Sequence, residues 1–139
     1  MEESISGEEW LKIIMEPKLS DAVPKELLKL FEIARSSMVY GYFFYPLYML
    51  AAQQLFRVAE TAVTFRCEQL GAPKLKNFKR KVDWLASKGH VSKEAVPFWN
   101  GVIYLRNSAS HPTSPIILTQ NYAIGIVTRA VEDINALFS

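Results

Sequence analysis

Residues 97–112 read Pro97-Phe98-Trp99-Asn100-Gly101-Val102-Ile103-Tyr104-Leu105-Arg106-Asn107-Ser108-Ala109-Ser110-His111-Pro112, and their reading decides the fold. Phe98, Val102 and Leu105 recur at i, i+4, i+7, the spacing of one helical face. Pro97 opens this helix, because the amide hydrogen it lacks is one that a first turn leaves unpaired anyway. Arg106 closes it, and the polar run from Asn107 to His111 ends it ahead of Pro112, whose ring pushes His111 out of the α region. On a continuous helix Arg106 and His111 would point about 140° apart. If the helix unwinds near Ser108 to Ser110, His111 swings back beside Arg106. An arginine, a small polar group and an imidazole then share one pocket at a helix end.

Helical signals continue on both sides of this stretch. Downstream, Pro112-Thr113-Ser114-Pro115 is a loop, and a last helix starts at Ser114-Pro115 or Thr119. Ala123, Val127, Ala130, Ile134 and Leu137 form its apolar stripe. Upstream, Asn77 caps a helix that turns Phe78, Val82 and Leu85 inward and stops at Gly89, and Ser92 caps a short turn. A long helix runs from about Pro46 to Gln69 and ends at Gly71-Ala72-Pro73. It carries a polar stripe of Gln53, Arg57, Glu60, Thr64 and Glu68, while Leu47, Leu50, Leu55, Val58, Ala62, Val63 and Phe65 cover much of the rest. Before it, a helix starting near Pro24 has the stripe Leu27, Phe31, Ala34, Met38 and Tyr42 and ends before Pro46. Ser6-Gly7-Glu8-Glu9 is a capping box for a short first helix that Pro17 stops.

No strand pattern, hairpin signal or internal repeat competes. The sequence therefore predicts an all-α fold. A bundle of four to five helices spans residues 24–139, and a short extra helix with its connector spans 1–23.

Arg106, Asn107 and His111 fall on an Arg-polar-x3-His motif near the end of the penultimate long helix. In this the chain resembles the HEPN superfamily, all-α domains that include many metal-independent ribonucleases; the looser resemblance runs from about Pro24 to Phe138. The resemblance implies RNA as substrate, no cofactor and a homodimer whose two motifs face one cleft. It also admits toxin–antitoxin, phage-defence and RNA-processing settings, the first with an antitoxin as protein partner.

The residues themselves suit phosphodiester cleavage. Histidine titrates near neutral pH, so His111 can take a proton from an attacking 2′-hydroxyl or return one to the leaving oxygen. Arg106 offers a bidentate fork to phosphate and stabilises the charge that builds there. Asn107 can hold the imidazole or bond a phosphate oxygen, and Ser110 adds a donor. Glu60 can orient Arg106 by a charge-assisted pair; the plainer reading is an exposed pair with Arg57. The plainer reading of the motif is that Arg106 and His111 cap helix-end carbonyls. One rival function is a helical binding or assembly module, an accessory or sensor subunit that keeps the motif without cutting. The other is a purely structural domain.

Composition excludes several classes. The 139 residues suit one core, and half of them are hydrophobic. The net charge of +2 is mild, so any nucleic-acid binding uses a local patch. The most basic run, Lys74 to Lys81, supplies it if Lys79, Arg80 and Lys81 project outward and touch phosphates; otherwise it is an ordinary solvated face. A single cysteine, Cys67, forbids an internal disulfide and reads as an apolar filler. Met1-Glu2-Glu3-Ser4 begins no secretory signal, which points to the cytoplasm. His90 reads as a loop residue, and no ligand cluster stands at metal spacing, so no metal is expected. No Walker loop or nucleophile elbow occurs.

Ser36 to Phe56 carries no charge, but Pro46 interrupts it and Gln53 and Gln54 are polar, so it is read as two helix segments and not a membrane span. Its aromatic cluster, Tyr40, Tyr42, Phe43, Phe44, Tyr45 and Tyr48, reads as core and subunit contact, with base stacking as the alternative.

Overall fold

The computed structural model describes residues 5–109 and 119–139, with the side chains of 105–109 left out of the description. Among the described residues there are six α-helices and no strand: α1 (Gly7–Met15), α2 (Lys25–Tyr40), α3 (Pro46–Gln69), α4 (Phe78–Ser87), α5 (Val96–Ala109) and α6 (Gln120–Leu137). Three helix starts carry the side-chain caps their sequences call for. Ser6 Oγ accepts from the Glu9 amide at 3.2 Å, Asn77 Oδ1 from Arg80 at 2.9 Å and Thr119 Oγ1 from Tyr122 at 3.1 Å. Gly71 and Gly89, just past α3 and α4, take positive φ of 72° and 82°, the left-handed stop that glycine adopts without a Cβ penalty.

Helix α3 is the axis, in contact with α2, α4, α5 and α6. It is apolar on most of its circumference: Ala51, Ala52, Leu55, Val58, Ala59, Ala62 and Val63 are all buried. A helix that buries most of its surface lies inside the bundle. The α6 stripe, Ala123, Val127, Ala130, Ile134 and Leu137, packs into the same core.

Helix α1 joins that core through Trp10 and Ile14. The Trp10 indole donates to Met38 O at 3.1 Å, and the Tyr42 hydroxyl donates to Ile5 O at 2.8 Å. At the other end of α1, the buried Arg35 of α2 donates to Met15 O at 3.2 Å and Pro17 O at 2.6 Å and pairs with Glu32. It thereby takes up carbonyls that the end of α1 would leave without partners. The connector is fixed again by Asn135, which accepts from the Ser20 amide at 2.7 Å and donates to Lys18 O at 3.0 Å.

The turn between α2 and α3 is tight. A Cβ at Gly41 would run into the Tyr48 ring, and that ring is held by Trp10 and Tyr45, with centroids 5.4 and 5.7 Å away. Gly41→Ala is therefore expected to destabilise the fold by about 1–3 kcal/mol, the usual cost of overpacking. A denaturant titration checks this; an unchanged midpoint would mean that the turn relaxes freely.

Candidate functional site

Helix α5 begins beside α4, where the Trp99 and Phe78 rings meet edge to face at 6.2 Å. Its inward face differs from the expected Phe98-Val102-Leu105 stripe. Trp99, 1 % exposed, and Val102 are buried, while Phe98 is half-buried. The helix continues through Ser108 to Ala109, so Arg106 and Asn107 stand within its last turn and Arg106 does not close it. The expected unwinding does not occur at Ser108 or Ala109.

The side chains of Arg106 and Asn107, and all of Ser110 and His111, lie outside the described residues, so the pocket expected to unite them does too. Glu60, read chiefly as an exposed partner of Arg57 with Arg106 as the alternative, is half-buried on α3. Helix α6 starts beside the first turn of α3, where the Gln120 side chain is hydrogen-bonded to the Tyr48 hydroxyl.

The basic run is held elsewhere, on α4 against the C-terminal half of α3. Lys79 and Arg80 are exposed, but Lys79 Nζ pairs with Asp83 at 3.0 Å. Lys81 does not project outward. It is half-buried, with its ammonium donating to Thr64 Oγ1 at 3.1 Å, and its carbonyl lies 3.8 Å from Cys67 Sγ. If the run still contacts phosphate, replacing Lys79, Arg80 and Lys81 by glutamine should flatten the log K against log salt slope by about 2 for single-stranded RNA. Binding measured by fluorescence anisotropy across a salt series checks this, and an unchanged slope leaves only a solvated face.

Cys67 is buried, and burial pushes its thiol above the usual range, which opposes a nucleophilic role. His90 is half-buried in the α4–α5 connection, its amide bonded to Leu85 O at 2.9 Å. No group of three or more His, Cys, Asp or Glu residues stands together for a metal among the described residues. No helix among them is long and apolar enough to cross a membrane.

A groove of about 320 Å³ lies between α5 and α6, with walls that include Phe98, Gly101, Tyr122 and Gly125 and with Phe56 of α3 contributing from the core. Sequence reading missed it. The available signal was a glycine inside each of two helical patterns, which marks either weakness or a reason for having no side chain.

Arg129, at the groove, reaches Asp133 at 3.7 Å. Asp133 is buried, and its Oδ2 has no hydrogen-bond partner. Burial pushes this carboxyl above the usual carboxylate range, opposed by Arg129. With the folded-state value raised, the charged form opposes folding; the penalty is full above that value and relieved as pH falls toward the unfolded value of about 3.9. Asp133→Asn is thus expected to raise Tm by a few degrees at neutral pH and to lose this advantage near pH 4. Thermal melts at the two pH values check it.

No protein-family model matches the chain, and no curated protein or solved structure matches it either.

Proposed function

We propose that the chain is a HEPN-like, metal-independent endoribonuclease that cleaves RNA by 2′-hydroxyl attack. The observation that carries the reading is the Arg106-Asn107-x3-His111 pattern, which begins on the penultimate helix of an all-helical bundle. In this reading His111 withdraws the 2′-hydroxyl proton and protonates the departing 5′-oxygen. Arg106 holds the phosphate and stabilises its developing charge, while Asn107 and Ser110 orient the imidazole or the phosphate. The products are a 2′,3′-cyclic phosphate and a free 5′-hydroxyl.

The proposal includes a homodimer. Tyr40, Phe43, Phe44 and Tyr45 are exposed around the α2–α3 turn, with Ile33 and Leu50 exposed on the flanking helices. Apolar exposure of this extent is characteristic of interaction surfaces.

The test is RNA cleavage by purified protein in EDTA, wild type beside His111→Ala. Cleavage by the wild type alone, leaving cyclic phosphate ends, supports the reading. If neither protein cuts but both bind RNA, the chain is a binding module.

A further inference from the structure

We propose that the groove between α5 and α6 is a nucleotide subsite, taking a nucleobase between its aromatic walls and the attached phosphate on Arg129. This deepens the ribonuclease reading and rests on it for a place in catalysis, although nucleotide binding itself is separately measurable.

Size comes first. About 320 Å³ is at the small end of the range for small-molecule pockets, ample for one nucleotide and too small for a docked helix. The groove exists because two helix-interior positions lack side chains. Gly101 and Gly125 line it, and a Cβ built on either meets nothing within 4 Å. Neither takes positive φ, so neither serves a turn. Glycine weakens a helix interior relative to alanine, and at these positions no close backbone approach accounts for it. What the two glycines do is keep the slot open.

The lining selects the ligand. Phe98 from α5, Tyr122 from α6 and Phe56 from α3 present aromatic rings, and planar bases stack on such rings. Asn121 at the same groove offers an amide with both donor and acceptor for a base edge. Arg129 supplies the cation. Its side chain is half exposed, and its 3.7 Å approach to Asp133 is longer than a hydrogen bond. Among the described lining residues none is acidic; the Asp133 carboxylate meets Arg129 at 3.7 Å but is not part of the lining. An uncharged aliphatic ligand would use neither Asn121 nor Arg129.

The location suits a substrate subsite. Gly101 and Val102 stand about one turn before Arg106 on the same helix, and Tyr122 stands in the first turn of the helix that follows the motif. A nucleotide in the groove would belong to the same strand as a phosphate at the motif.

The experiment titrates the full ¹⁵N-labelled chain with 5′-AMP, adenosine and decanoate, following backbone amides. AMP is expected to shift Gly101, Tyr122 and Gly125 and to bind at least about tenfold tighter than adenosine, the worth of one charge-assisted contact. Gly125→Leu, which fills the slot with a good helix former, should abolish binding. Arg129→Gln should reduce AMP to the level of adenosine, and Tyr122→Ala should weaken both; circular dichroism confirms that each variant is folded. Saturation by decanoate with no response to AMP would overturn the proposal, as would AMP shifts confined to other helices or no binding at millimolar AMP. If AMP binds in the groove but RNA is never cut, the subsite stands and the ribonuclease reading falls. If RNA is cut equally well by wild type and Gly125→Leu, the subsite falls and the ribonuclease reading stands.

Discussion

His111→Ala is expected to slow RNA cleavage by about 10² to 10⁴, the usual contribution of a positioned general acid or base. Arg106→Ala should do similar damage for a different reason. Removing a guanidinium from a developing phosphate charge leaves that charge to water, and a single electrostatic donor commonly contributes about 10² to 10³ in rate. The double variant should lose much less than the product of the two effects, because groups that act as one unit are not additive. EDTA should change nothing in any of the proteins. Both variants should melt with the wild type. Arg106 lies beyond Val102 toward the C-terminal part of α5, and His111 follows it in the chain. The rival reading, that both residues only cap helix-end carbonyls, makes the opposite forecast: lower Tm in both variants and no cleavage by any of the three proteins. Tm and cleavage rate measured on the same preparations therefore separate the two.

Helix starts were legible where a cap is a local pattern, whereas the expected close of α5 at Arg106 was not met. Capping uses a side chain and an amide three residues away, so Ser6 and Asn77 announce their helices without reference to the rest of the chain, while Thr119 was one of two starts open for α6. The α6 stripe was legible for the same reason: each of its five members is buried. The inward face of α5 was not. Phe98 and Trp99 are adjacent aromatics, and periodicity alone cannot choose between them; the Phe78 ring on α4 selects Trp99, and no local signal carries that contact. Lys81 was misjudged likewise, because Thr64 lies seventeen residues away and only the fold brings it within reach. The α5–α6 groove is lined by Gly101 and Gly125 from two different helices, a juxtaposition that no sequence window contains. The pocket meant to join Arg106, Asn107, Ser110 and His111 lies outside the described residues.

The charge-free aromatic segment leads to the second large effect. The fold divides it: Tyr48 packs into the core and Tyr42 is half-buried against α1, while Tyr40, Phe43, Phe44 and Tyr45 stay outside. Phe43 is 79 % exposed, more than any other large apolar side chain described. Leaving such a ring in water forgoes about 1.5–3 kcal/mol that burial would supply. A second copy of the chain provides a partner without charge conflict, since no charged side chain occurs from Ser36 to Phe56. In a two-fold dimer each residue of the patch is used twice, so Phe43→Asp with Phe44→Asp alters four side chains in one interface. Even after a large discount for ordering and desolvation, dimer dissociation should strengthen by at least about a thousandfold, equivalent to roughly 4 kcal/mol. The wild type is expected to sediment as a dimer at micromolar concentration and the double variant as a monomer. The monomer's own thermal stability should be little changed, because neither ring supports the buried core. A wild-type chain that sediments as a monomer well above micromolar concentration would remove the dimer and, with it, the cleft shared by two motifs.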